Sequence, residues 1–267
     1  MSNKAISVSS LQKMKTEGER FAVLTAYDAT FAALLDECGV EVILVGDSLG
    51  MVVQGGTTTL PVTVDDIVYH TRAVSRGSKN ALIMADMPFM ADATPQQAVQ
   101  NAGRLMKEGG AHMVKLEGGA SQVEVVLRLS ELGIPVCGHL GLQPQSVHKL
   151  GGYKVQGRDE AAAESILSDA RKLVEAGADM LLLECVPAEL AAKVTAAVAV
   201  PVIGIGAGSD TDAQVLVLYD MLGITPGHRP KFTHDFMAAS GTIAEAISAY
   251  VSAVKSGQFP AEQHCFH

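Results

Sequence analysis

Short apolar runs rich in β-branched residues recur along the chain, separated by longer stretches with helical character. Residues 21–25, 41–46, 81–85, 113–116, 135–138, 180–183, 202–205 and 215–219 each read as a strand buried on both faces. Continuous apolar strands with helices between them indicate a parallel sheet rather than an antiparallel one. The intervening segments carry helix punctuation. Thr94-Pro95-Gln96-Gln97 supplies a capping Thr, a Pro at the first helical position and a Gln three residues after the cap. Thr242 with Glu245, and Thr63 with Asp66, have the spacing of capping boxes. Glu108-Gly109-Gly110, Leu132-Gly133 and Ala176-Gly177 place glycine where helices end. Residues 9–15 read as a short helix ahead of the first strand, suited to plug the N-terminal end of a barrel. Eight βα units of similar length favour closure over an open doubly wound sheet. The expected fold is an α/β, (β/α)8 barrel with a short N-terminal helix, in a single domain over residues 1–267.

That fold accounts for the length of 267 residues, and the 48% apolar content is ample for its core. A net charge of −9 with scattered lysines and arginines argues against nucleic acid or an anionic membrane as partner. Cys38, Cys137, Cys185 and Cys265 are widely spaced and form no CxxC pair, which fits a reducing cytoplasm. No run has the length of a signal peptide's apolar core or a membrane span, so a cytoplasmic location is expected.

Polar residues fall where each strand finishes: Asp28, Asp47, Asp86, Glu117, His139 and Glu184, then a Gly206-Ala207-Gly208 turn. In a barrel these positions converge on the C-terminal rim, where such enzymes keep their sites. A lone Asp at a strand end is usually a helix cap, and for Asp28 that explanation suffices. Several carboxylates on one rim repel each other and need a cation or shared protons. Lys115 and Glu117 share one face of their strand. An ion pair inside the barrel, or a contact to an anionic substrate, would explain a buried Lys115. Asp47, Asp86 and Glu117 offer hard oxygens with no His or Cys pair at zinc spacing. This favours Mg²⁺ or Mn²⁺, with Zn²⁺ or Co²⁺ behind them. His139 is a rim hydrogen-bond donor or a satisfied structural histidine. Residues 204–208 resemble a phosphate-cradling turn, or simply let a ligand approach the backbone. The tail His264-Cys265-Phe266-His267 reads as a docked or frayed terminus sooner than a metal site. Residues 159–164 read as a solvated helix start.

These residues carry a resemblance. Val45-Gly46-Asp47-Ser48-Leu49-Gly50, Thr59-Leu60-Pro61-Val62-Thr63 and Ala85-Asp86-Met87-Pro88-Phe89 resemble the ketopantoate hydroxymethyltransferase family. So do Val114-Lys115-Leu116-Glu117-Gly118-Gly119, Gly138-His139-Leu140-Gly141-Leu142 and Gly151-Gly152-Tyr153-Lys154-Val155-Gln156-Gly157. Leu183-Glu184-Cys185-Val186-Pro187 and Ile203-Gly204-Ile205-Gly206-Ala207-Gly208 complete an ordered match from about Leu24 onward. The resemblance implies a phosphoenolpyruvate/pyruvate-type barrel that moves a hydroxymethyl group from 5,10-methylenetetrahydrofolate to 3-methyl-2-oxobutanoate, giving 2-dehydropantoate, the first step of pantothenate synthesis. It implies Asp47 and Asp86 as direct metal ligands with Glu117 in the metal's shell. Asp47, Ser48, Asp86, Lys115 and His139 then surround the oxo acid, Glu184 is the catalytic acid/base, and the assembly is a homodecamer. Gly109-Gly110-Ala111 is a residue longer than the family's usual turn, at the end of the barrel away from the chemistry. Two rival expectations remain: another metal-dependent 2-oxo-acid C–C lyase or mutase working without folate, and a non-catalytic anion-binding barrel using the Gly206–Gly208 turn.

Overall fold

Seven of the eight apolar runs form strands as read, the eighth strand lies slightly earlier, and the eight strands close on one another. The computed structural model describes residues 5–227 and 229–267. Its strands are β1 (Phe21–Thr25), β2 (Val42–Val45), β3 (Leu82–Asp86), β4 (Met113–Glu117), β5 (Val136–Gly141), β6 (Met180–Glu184), β7 (Val202–Ile205) and β8 (Ala213–Leu216). All neighbours are parallel in sequence order, and β1 pairs with β8 to close the barrel. The helices are α1 (Val8–Glu17), α2 (Ala29–Glu37), α3 (Leu49–Val52), α4 (Val64–Gly77), α5 (Pro95–Arg104), α6 (Val123–Glu131), α7 (Val147–Leu150), α8 (Glu160–Glu175), α9 (Ala188–Ala197), α10 (Leu218–Met221) and α11 (Ile243–Lys255).

The expected punctuation is present. Thr94 caps α5 by accepting from Gln97 N, and Thr63 and Thr242 form full capping boxes with Asp66 and Glu245. The Gly109–Gly110 segment ends a π-helical turn, Leu105–Gly109, that follows α5, and Gly110 adopts φ +83°. A π turn holds more residues than an α turn, so it accommodates a long connection without breaking the helix. Asp28 is the N-cap of α2, accepting from Phe31 N at 2.9 Å, and Asp159 caps α8 in the same way.

The last strand lies earlier than the sequence suggests. β8 spans Ala213–Leu216, not residues 215–219. Gln214 interrupts the apolar run, but its side chain is buried and donates to Gly208 O and Thr211 Oγ1 at 2.9 and 2.8 Å. Leu218 and Tyr219, which read as strand, belong to the one-turn helix α10.

Helix α1 is pinned to the N-terminal ends of the strands. Leu11 is fully buried, and Lys15 Nζ pairs with Asp212 Oδ2 at 2.7 Å, just ahead of β8. Asp212 Oδ2 also accepts from Val202 N at 2.8 Å, so one carboxylate ties α1, β7 and β8 together. On the outer wall, the Tyr250 hydroxyl of α11 reaches Val23 O and Gln214 O at 3.0 and 2.8 Å, spanning the closing strands. No described helix is long and apolar enough to cross a membrane.

Candidate active site

Strand side chains alternate faces, so residues two apart line one interior. A cavity of about 620 Å³ opens there, at the C-terminal ends of the strands. Asp47, Ser48, Asp86, Lys115, Glu117, His139 and Glu184 all line it. Lys115 and Glu117 therefore do face the same way, and the register sets Lys115 beside Asp86 and Glu117 beside His139.

The charges interlock. Lys115 Nζ lies 2.5 Å from Asp86 Oδ1, with side chains only 5% and 3% exposed. The interior ion pair expected for a buried lysine is thus present, and the same lysine also lines the cavity. Burial opposes the Lys115 charge, but Asp86, Glu117 and Asp47 outweigh it and hold the ammonium well above its ordinary pKa. The other Asp86 oxygen accepts from Asp47 N at 2.9 Å, which places the two aspartates side by side. Burial first, and then the Asp86 and Glu117 charges, push the Asp47 carboxyl well above the usual carboxylate range.

His139 is not a peripheral donor. Its Nδ1 lies 3.5 Å from Glu117 Oε1 and its Nε2 lies 3.3 Å from Glu184 Oε2. Neither His139 Nε2 nor Glu117 Oε1 has an aligned hydrogen-bond partner, so these contacts act through charge rather than geometry. Glu184 ends β6, and its side chain, 16% exposed, is more accessible than those of Asp86 and Glu117. Leu181, Leu183 and Val186 surround its backbone, yet the carboxylate itself faces an imidazole rather than those apolar neighbours. The next residue, Cys185, turns the chain at φ +47°, a left-handed conformation uncommon outside glycine.

Two contributors carry no sequence signal. Gln145, in the loop after β5, donates its side-chain amide to Asp47 Oδ2 and Met87 O, both at 2.9 Å. Its backbone N–H donates to Glu117 Oε2 at 3.0 Å. Tyr27, buried just beyond β1, shares a 2.8 Å hydroxyl contact with Ser48 Oγ. Desolvation holds its phenol well above its ordinary pKa, so Tyr27 stays neutral.

Other sequence candidates resolve as packing. Gly206 (φ +59°) lies under the rings of Phe232 and Phe266, and Gly208 (φ +75°) lies against Ala188. The turn at 204–208 is glycine-rich because the protein's own side chains approach it, and no anion is needed to explain it. The tail is docked: Phe266 O accepts from Ala188 N at 2.9 Å, and the buried His264 stacks near His234 and Phe259.

The donor set fits a hard divalent cation. Asp47, Asp86, Glu117 and Glu184 outnumber the adjacent cations Lys115 and His139, and burial and repulsion among them raise the Asp47 carboxyl. Among the described residues, however, no three His, Cys, Asp or Glu side chains are grouped to hold an ion together. Glu117 is instead engaged by His139 and Gln145. Of the three expected ligands, Asp47 and Asp86 lie side by side, and Glu117 lines the same cavity. Two carboxylates completed by water and substrate oxygens suit Mg²⁺.

A family model described as ketopantoate hydroxymethyltransferase matches residues 5–262. The 3-methyl-2-oxobutanoate hydroxymethyltransferase of Nitrosococcus oceani is 62% identical over 255 residues, covering 96% of this chain and 97% of that protein. The enzyme of the same name from Escherichia coli O157:H7 is 58% identical over 264 residues, 99% of this chain and all of that protein. Among solved structures, 2,3-dimethylmalate lyase, a PEP mutase/isocitrate lyase superfamily member, shares the fold with a TM-score of 0.58. It is 16% identical, over 82% of this chain and 80% of that one.

Proposed function

The chain belongs to the ketopantoate hydroxymethyltransferase family, and on that premise we propose that it hydroxymethylates 3-methyl-2-oxobutanoate from 5,10-methylenetetrahydrofolate, giving 2-dehydropantoate for pantothenate synthesis. The observation that carries this reading is Glu184, facing the cavity beside His139 on the same rim as the Asp47–Asp86 pair.

Asp47 and Asp86 would hold the divalent cation, Mg²⁺ in our reading, and Glu117 would orient the surroundings through His139 and Gln145. When bound, the cation draws electron density from the substrate's 2-oxo carbonyl and acidifies the C3 proton. Lys115 offsets the substrate carboxylate, and Ser48, steadied by Tyr27, donates to it. Glu184 removes the C3 proton. Water breaks both C–N bonds of the folate methylene, so that tetrahydrofolate leaves and the carbon is delivered as formaldehyde; C3 adds to that carbonyl carbon, and the resulting alkoxide takes the proton back from Glu184. His139, between Glu117 and Glu184, tunes the charge beside the base. A homodecameric assembly, a cytoplasmic location and one catalytic unit spanning the whole chain belong to the same proposal.

Purified protein given both substrates and Mg²⁺ should accumulate 2-dehydropantoate, followed by mass spectrometry. Folate-independent cleavage or rearrangement of another oxo acid, with no 2-dehydropantoate formed, would overturn the reading in favour of a lyase or mutase.

A further inference from the structure

The cavity is larger than a five-carbon oxo acid requires. Its volume of about 620 Å³ lies in the range that encloses drug-sized ligands. The charged cluster occupies the deep end, and the outer end has a different chemistry. There Phe232 and Phe266 stand together over Gly206. A Cβ on that glycine would come within 2.8 Å of Phe232 Cδ1 and 3.1 Å of Phe266 Cε2. Gly206 directly follows Ile205, the register partner of Glu184. The two rings therefore form a wall one residue beyond the strand neighbour of the proposed base.

That wall is held in place and carries a charge. The Ala188 N–H donates to Phe266 O at 2.9 Å, which pins the tail to the start of α9. Lys231 Nζ donates to Cys265 O at 2.6 Å and lies 5.4 Å from the centre of the Phe266 ring. An ammonium has three donors, so among the described residues two have no hydrogen-bond partner. Among the described residues lining the cavity, Lys231 is the one cation apart from Lys115 and His139 in the cluster.

We propose that Phe232, Phe266 and Lys231 seat the one-carbon donor. The rings take a face of its heterocyclic and aromatic body, and Lys231 takes a carboxylate of its anionic tail. The inference rests on the reaction proposed above, because only a donor with that chemistry needs both a flat apolar face and a cation. It also answers a geometric need: the methylene carbon must arrive beside the carbon that Glu184 deprotonates, and this wall borders Glu184.

The test uses the full-length enzyme with Phe266→Ala and Lys231→Gln. The KM for 5,10-methylenetetrahydrofolate should rise roughly tenfold in each, the order expected when one stacking face or ion partner is lost. Entry of solvent deuterium at C3 of 3-methyl-2-oxobutanoate, measured without folate, should stay within about twofold of the parent. An unchanged folate KM in both variants overturns the proposal. So does an equal loss of C3 exchange, which would mean that the tail merely supports Glu184. If Phe266→Ala does not fold, Lys231→Gln decides alone through salt. The parent's folate KM should climb with added KCl, and the variant's should not. Failure of the reaction assignment has a separate signature, since the parent itself would then make no 2-dehydropantoate.

Discussion

His139 Nε2 lies 3.3 Å from Glu184 Oε2 across the β5–β6 pair, while the opposite nitrogen of the same ring lies 3.5 Å from Glu117. Burial and the Lys115 charge oppose a proton on that ring, but the two carboxylates prevail and raise His139 to about 9. The imidazole therefore links Glu117 and Glu184 across neighbouring strands.

Glu184→Gln should lower turnover by ~10²–10⁴-fold, the usual contribution of a positioned proton shuttle. Oxo-acid binding should survive, because glutamine keeps the shape and the Asp47–Asp86 pair is untouched. Deuterium exchange at C3 isolates the step. A variant that exchanges as fast as the parent would remove Glu184 from the mechanism.

Lys115→Ala should weaken oxo-acid binding by roughly 2–5 kcal/mol, as for truncating one member of a buried charge pair. It should also destabilise the fold, because Asp86 would be left buried without its partner. Calorimetric titration with 3-methyl-2-oxobutanoate and urea unfolding report the two effects separately. Unchanged affinity with lowered stability alone would confine Lys115 to the ion pair.

EDTA should abolish activity, and Mg²⁺ or Mn²⁺ should restore it. The informative variant is Asp86→Asn rather than Asp86→Ala. Asp86 is buried, pairs with Lys115 and accepts from Asp47 N, so deleting it damages the fold as well as the site. Asn keeps the bond to Asp47 N and removes one anionic ligand. The variant should be folded by circular dichroism and bind Mg²⁺ far more weakly by titration. Parent-like Mg²⁺ affinity would rule Asp86 out as a ligand.

Asp36, on α2, organises the approach to β3 by accepting from Ser78 Oγ, Asn80 N, Asn80 Nδ2 and Ala81 N at 2.8–2.9 Å. Partial burial disfavours its charge, and those donors outweigh burial and hold the carboxyl below its ordinary value. A depressed folded pKa means stability that is complete above the unfolded pKa and is lost as pH falls through the folded one. Asp36→Ala should cost about 2–3 kcal/mol near neutrality. Urea unfolding should show the gap between parent and variant closing below pH 3.8, the ordinary value. A gap independent of pH would mean that the carboxylate charge contributes nothing.

Seven of the eight strands were legible because a strand buried on both faces must be apolar throughout, and that pattern needs no tertiary information. β8 was not, because Gln214 satisfies its amide on Gly208 and Thr211, which lie close in sequence but only in the folded turn. The carboxylates of the rim were legible for the same topological reason: strand ends of a barrel meet. Gln145 and Tyr27 were invisible because a loop amide and a buried phenol have no periodicity, and their partners lie 98 and 21 residues away. Phe266 was read as part of a docked or frayed tail, since nothing local says that a terminus lies against β7. Glu117 was legible as a rim carboxylate, but its engagement by His139 and Gln145, rather than by Asp47 and Asp86, depends on side-chain directions that spacing does not encode.

Closure of the barrel joins its first strand to its last. β1 has its outer neighbour in β8, Lys15 grips Asp212, and Tyr250 bridges the seam from α11. A ribosome delivers β1 long before β8, so a nascent chain with β1–β7 but not yet β8 leaves the β1 and β7 edges unpaired. Unpaired parallel edges of that kind invite pairing with other chains until β8 is delivered.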